Sequence, residues 1–352
     1  LDEAGEPLGN TTAASSAPGD PEDDTFQMPD AKALEEMRRE FSAAWAASST
    51  EQDIVALANS TFGGRGYDVE AVLDLPIAGF SGCSAPYRGN IYLPERAAGR
   101  APLISFAHGF TEGGQRLDRL MRRRVFQQLV GMGFVVVAHQ TGGTRDYCDS
   151  SHDQLHMIDW ARNSPYAQRI DFSQVVLMGY SMGGRASLRN AADAALMATY
   201  NVRAVSVLFP HCSYGCRRPV RPVPVHFITG RLDLIAHWRH SYNTYSRTRT
   251  DKTFERLQRI SHVPPIPVWQ RDVTPLVMGF LECTVLGDQQ ACAYADGSYE
   301  SCTYACQHCG CEQCEPCVPC WGSSPPSFCS GECAMCGPCR HCEECVNCRR
   351  RG

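Results

Sequence analysis

The chain has 352 residues, and 33 Lys plus Arg against 38 Asp plus Glu leave a net charge of -5. That balance argues against a nucleic-acid protein, whose footprint is a basic face. No apolar run reaches the roughly 18 residues needed to span a bilayer, so no transmembrane segment is expected. The chain begins at Leu1 rather than Met, so its N-terminus is read as processed or incomplete, and a missing signal peptide carries no weight.

Residues 1–30 are rich in Asp, Glu, Gly, Pro, Ser and Ala and have almost nothing to bury, which predicts a disordered segment. In residues 31–61 the spacing of Leu34, Met37, Phe41 and Trp45 predicts a short amphipathic helix followed by a linker. Between residues 62 and 290, short apolar runs alternate with helix-like stretches. Residues 90–93, 103–107, 134–138, 175–178, 204–209 and 225–229 read as strands, several of them buried on both faces. Residues 116–130, 154–163 and 182–200 read as helices. Continuous apolar strands separated by helices mean a parallel sheet covered on both sides, so the expected class is α/β.

Cysteine divides the chain. Of 20 cysteines, only Cys83, Cys148, Cys212, Cys216 and Cys283 precede residue 292, and the other 15 lie in residues 292–352. Cys311, Cys314, Cys317 and Cys320 recur at every third position, as do Cys333, Cys336, Cys339, Cys342, Cys345 and Cys348. Residues 291–352 therefore form a Cys-rich tail with too few large apolar residues for a core of its own, held by cross-links or metal if it folds. Zinc or copper on paired thiolates is one reading. The glycosylation patterns Asn10-Thr11-Thr12 and Asn59-Ser60-Thr61 point to the secretory pathway or the extracellular space, and so favour disulfides. An odd count of 15 leaves at least one thiol to pair with the body, pair with another chain or stay free.

The sharpest local signal is Gly179-Tyr180-Ser181-Met182-Gly183, directly after the apolar run Val175-Val176-Leu177-Met178 and before an Ala-rich helical stretch. Strand, Gly-x-Ser-x-Gly and helix are the context of a nucleophile elbow. Ser181 has to sit on a sharp turn, and side chains at 179 and 183 would collide across it. The bland alternative is an ordinary strand-to-helix turn holding a phosphate at the helix N-terminus.

Upstream, Ala107-His108-Gly109-Phe110-Thr111 follows another buried strand. In hydrolases of this plan, the loop after that strand gives one oxyanion N–H and the residue after the nucleophile gives the other. Here those donors are the backbones of Phe110 and Met182. His108 precedes the serine and is read as a structural histidine bracing its loop. Downstream, Asp233 lies just past the strand ending at Gly230 and suits the acid that orients a base. Its competing reading is a helix N-cap, with Asp251 and Asp272 as fallback acids. Among the later histidines, His237 and His240 lie too close to Asp233 on one helix, and His308 and His341 belong to the tail. His262 remains as the base, although Phe254, Leu257 and Ile260 are spaced by three and do not mark the preceding segment as a strand.

Taken together, residues 107–110, residues 179–184, residues 230–236 and Ser261-His262 resemble the α/β-hydrolase superfamily. Within it they are most similar to the cutinase, polyester-hydrolase and chlorophyllase-like serine esterases. The resemblance covers about residues 62–290. It implies an eight-stranded, mostly parallel sheet and a catalytic domain that hydrolyses carboxylic esters with no cofactor and no metal. In the polyester-hydrolase branch an aromatic follows the oxyanion glycine and Met follows the serine, as Phe110 and Met182 do here. A substrate pocket of Phe110, Thr111, Tyr180 and Met182 is therefore expected, with a medium-chain, polyester or lipid-like ester as substrate. Tyr180 stands where that branch often has Trp or His, and the Pro-rich loop after His262 is unlike its usual counterpart; both bear on the substrate more than on the reaction. The rival reading is an inactive scaffold whose tail binds metal, contacts another protein or attaches to a matrix. No stretch reads as a lid, so an accessible serine is expected.

Overall fold

A computed structural model describes residues 66–110, 125–142, 147–213, 216–219, 223–258, 260–264, 268–288 and 291, with Lys32, Glu35 and Arg39. Those three are helical and exposed, within the stretch predicted as an amphipathic helix. The N-terminal segment, both glycosylation patterns, Thr111 and, apart from Ala291, the Cys-rich tail lie outside the described residues.

Eight strands form one sheet: β1 (Val69–Pro76), β2 (Arg88–Pro94), β3 (Ala101–Ala107), β4 (Val135–His139), β5 (Ile170–Tyr180), β6 (Val202–Leu208), β7 (Val225–Gly230) and β8 (Lys252–Leu257). Their order is β1-β2-β4-β3-β5-β6-β7-β8. β2 runs antiparallel to both neighbours, and every other pair beyond it is parallel. This is the α/β-hydrolase architecture.

The helices are α1 (Gln127–Gly131), α2 (Ser151–Arg162), α3 (Met182–Ala191), α4 (Ala194–Thr199), α5 (Trp238–Arg247) and α6 (Thr274–Leu281). They cover both faces of the sheet, which is why its strands read as unbroken apolar runs. Along β5, Val176 and Met178 point into a core shared with α1 and α6. Val175 and Leu177 point the other way, into a core shared with α2 and α3. Among the described residues, no helix is long and apolar enough to cross a membrane.

Three local readings needed correction. The helix expected over 182–200 is two helices, because Asp193 stops the first and caps the second, accepting from the N–H groups of Ala195 and Leu196 at 2.8 and 3.1 Å. The segment before His262 is a strand after all. Thr253 to Leu257 of β8 are all buried, so no in–out alternation survives to mark it. β1 went unread because it is an edge strand with a broken pattern of half-buried and exposed positions, and its register slips between Val72 and Leu75.

Two disulfides pin loops at the carboxyl edge of the sheet. Cys83–Cys148 joins the segment after β1 to the one after β4, and Cys212–Cys216 closes a short loop after β6. Cys283 is also disulfide-bonded.

Candidate active site

All the segments that carry the expected site residues leave the carboxyl ends of parallel strands, where open α/β sheets place their sites. β3 delivers His108, Gly109 and Phe110. β5 delivers Ser181, β7 delivers Asp233 and β8 delivers His262.

Ser181 has φ 54° and ψ -117°, a conformation that L residues seldom adopt. It is held there by packing between β5 and α3. A Cβ on Gly179 would lie 2.2 Å from the Gly183 carbonyl oxygen, and one on Gly183 would lie 2.0 Å from the Ala107 carbonyl oxygen. Only glycine fits at either position, at 179 because the turn folds back on Gly183, and at 183 because the end of β3 abuts it rather than because of a collision across the turn. Ser181 N–H donates to the Leu208 carbonyl at 2.9 Å, and its own carbonyl accepts from Arg185 and His211. The turn is thus fixed from β6 as well as from α3.

His262 Nε2 lies 2.8 Å from Ser181 Oγ, and His262 Nδ1 lies 2.7 Å from Asp233 Oδ2. All three residues are fully buried. Asp233 serves both readings offered for it. Its Oδ1 accepts from the N–H groups of Ile235 and Ala236 at 3.0 and 2.6 Å, a local turn of the capping kind, which leaves Oδ2 for His262. The helix itself begins later, at Trp238, with His237 as its N-cap and His240 inside it. Of the fallback acids, Asp251 is exposed at the amino end of β8, opposite the site, and Asp272 lies in the π-helical segment Trp269–Val273 before α6.

Phe110 and Met182 pack together in a small buried cluster with Tyr147, Ile235 and the Cys83–Cys148 disulfide. Tyr180 does not join them. It sits in the main core against Phe209, Trp269 and the His262 ring, and its hydroxyl donates to the His262 carbonyl at 2.5 Å. The position expected to line a pocket instead braces the backbone of the histidine. Ser181 is fully buried, with Phe110 and Met182 nearly so, where an accessible serine was expected.

Tyr147, His211 and Ile235 are members of this neighbourhood that sequence reasoning passed over. Tyr147 Oη lies 2.7 Å from His211 Nδ1, and its ring packs on Phe110. Burial, and then the nearby His262, Arg185 and His240, push His211 from 6.5 down to about 3, so it is a neutral hydrogen-bonding group. Ile235 had a usable signal, standing two residues after Asp233. Tyr147 and His211 had none, because only the fold and the disulfide bring them to the serine. Among the described residues, no group of three or more His, Cys, Asp or Glu side chains is placed to hold a metal ion.

The model of the PET hydrolase-like family, PETase, matches residues 65–277. The chain belongs to the PET hydrolase-like family. It is 31% identical over 185 residues to Cutinase est1 of Thermobifida alba, covering 50% of this chain and 58% of that protein. It is 30% identical over 220 residues to Cutinase 1 of Thermobifida cellulosilytica, covering 60% and 76%. The same identity over 220 residues relates it to a cutinase of Thermobifida fusca strain YX, covering 60% and 66%. The match to this family spans the sheet and all the residues that meet at Ser181, and leaves out the Cys-rich tail.

Proposed function

We propose that this protein is a serine carboxylester hydrolase working through an acyl-enzyme. The observation that carries the reading is the unbroken chain Asp233–His262–Ser181, ending on a serine held at positive φ at a strand-to-helix turn. Ser181 is the nucleophile, His262 the general base and then acid, and Asp233 the residue that orients His262.

The steps follow from the hydrogen bonds. Asp233 Oδ2 accepts the Nδ1 proton of His262, which leaves the Nε2 lone pair facing Ser181 Oγ. His262 takes the hydroxyl proton as Oγ bonds to the ester carbonyl carbon. The carbonyl oxygen becomes an oxyanion, met by the backbone N–H groups of Phe110 and Met182, the second of them at the N-terminus of α3, where the helix dipole favours negative charge. His262 then gives its proton to the departing alkoxide, the C–O bond breaks and an acyl-Ser181 remains. Water repeats the sequence, with His262 taking its proton, and releases the acid.

Cutinase relatives and the apolar cluster of Phe110, Met182, Tyr147 and Ile235 support an ester with an apolar acyl part, of medium-chain, polyester or lipid-like type. Thr111, which lies outside the described residues, completes the pocket in this reading. The domain is taken to span residues 62–290, and Cys83–Cys148 and Cys212–Cys216 support an oxidising, extracellular or secretory-pathway location. The tail, outside the described residues, is assigned to cross-linking or contact with a matrix rather than to catalysis. Hydrolysis of p-nitrophenyl esters of rising chain length tests the reading. Turnover by the wild-type chain and none by Ser181→Ala is the expected result; equal turnover by both would overturn it.

A further inference from the structure

His108 is not part of the proton relay, yet its surroundings are unusual for a buried histidine. Its Nδ1 lies 2.7 Å from the Gly109 carbonyl oxygen, and its Nε2 lies 2.7 Å from the Thr141 carbonyl oxygen. Both partners are acceptors only. A neutral imidazole has one N–H, so one of these contacts would set a ring lone pair against a carbonyl lone pair. Flipping the ring would put two carbon atoms against the same oxygens. Only the imidazolium, with a donor on each nitrogen, satisfies both.

A buried cation needs a counter-charge, and one is present. Asp153, fully buried in the first turn of α2, accepts from Thr141 Oγ1 at 2.6 Å and from the N–H groups of Gly82 and Ser81 at 2.9 and 3.1 Å. Thr141 therefore links the carboxylate, through its hydroxyl, to His108, through its carbonyl. The other imidazole in the neighbourhood is His139 at the end of β4, with its ring centroid 4.6 Å from that of His108. Two charged rings at that separation would repel. His139 is the one that stays neutral: burial, and then His108, hold it well below 6.5, and its Nε2 has no hydrogen-bond partner among the described residues. Its Nδ1 faces Thr141 Oγ1 at 2.9 Å. His152, at 3.9 Å from Asp153 Oδ1, is mostly solvent-exposed and compensates the buried carboxylate weakly.

The position of this charge matters for Ser181. The Gly109 carbonyl and the Phe110 N–H belong to one planar peptide unit, so fixing the oxygen fixes the direction of the hydrogen. We propose that His108 is a positioning residue for the oxyanion site, a doubly protonated imidazole clamped between the Gly109 and Thr141 carbonyls. There it holds and polarises the peptide that presents the Phe110 N–H. This inference rests on the esterase reading, because Phe110 has an oxyanion to meet only if Ser181 is a nucleophile. The clamp also ties the loop after β3 to the loop after β4, so the donor is set by two strands rather than by one.

The test uses the full chain with 15N-labelled imidazoles at pH 7, with the His108 signal assigned by difference from His108→Gln. Two bonded protons on the His108 ring are expected. In the same variant, kcat and kcat/KM for a p-nitrophenyl ester should fall together by roughly tenfold with KM unchanged, less than the 10²–10³ typical of removing a donor outright. A single N–H on His108, or a folded His108→Gln chain with kcat within twofold of wild type, would overturn the inference. If His108→Gln does not fold, neutron diffraction from wild-type crystals decides: deuterium on both ring nitrogens supports the clamp, and on one overturns it. A folded wild-type chain that hydrolyses no ester would sink the esterase reading and the catalytic part of this inference with it, while the imidazole spectrum would still report the charge.

Discussion

Asp233→Asn is the substitution whose outcome the geometry specifies most closely. Asp233 Oδ1 accepts two backbone N–H groups, from Ile235 and Ala236. An asparagine can keep both bonds only by placing its amide oxygen there, which turns its NH2 toward His262 Nδ1. That nitrogen must then accept, so the ring proton moves to Nε2, the atom 2.8 Å from Ser181 Oγ. His262 then presents a donor to Ser181 where the proposed mechanism needs a lone pair. A wrong tautomer of this kind costs about 10⁴ in kcat, or about 5 kcal/mol of barrier. Folding should suffer little, since shape and the local turn are preserved. The assay is single-ester kinetics beside a thermal melt, with Asp251→Asn as a control expected to keep wild-type kcat. Retention of more than a tenth of wild-type kcat by a folded Asp233→Asn chain would refute the assignment of Asp233, and so would an Asp251→Asn chain that loses as much.

Gly183→Ala would drive a Cβ to 2.0 Å from the Ala107 carbonyl oxygen, a backbone atom that cannot swing aside, so loss of turnover with a lowered melting temperature is expected; unchanged values would show that the elbow can relax. Replacing both Cys83 and Cys148 by Ser opens a cross-link spanning 65 residues. Chain entropy puts its contribution at up to about 4 kcal/mol, measurable by urea unfolding against wild type, and a change below about 1 kcal/mol would contradict that origin. His211 and His226 are each held at about 3 by burial, against 6.5 for the free side chain. Their folded values are depressed, so below about pH 6 the unfolded chain binds protons that the folded chain refuses. Each should therefore remove about 1.4 kcal/mol of stability per pH unit as pH falls from about 6 toward 3. His226→Leu should lessen that slope by one proton's share, and an unchanged slope would contradict it.

The site was more legible in the sequence than the fold details around it, and the reasons differ residue by residue. Gly179 and Gly183 announce themselves because a backbone collision admits no other residue. Asp233 and His262 could be named because strand ends and chain order restrict where an acid and a base can enter such a site, even though the strand before His262 was itself unreadable. β8 hid because every position from Thr253 to Leu257 is buried, and β1 hid because an edge strand with a shifted register has no clean period. Tyr180 was misplaced for a different reason. The sequence places it beside Ser181, but not on which side of β5 its ring falls, and it falls into the core. His108 bonds the Gly109 and Thr141 carbonyls, and the charge proposed for it depends on Thr141, Asp153 and His139, which only the sheet order brings together.

The most direct test of the account is labelling of the 352-residue chain with a fluorophosphonate, followed by mass spectrometry to locate the adduct. Modification of Ser181 is expected, abolished in Ser181→Ala and strongly slowed in His262→Ala. A folded chain that takes up no label at Ser181 would contradict it, and would leave the elbow as a structural turn.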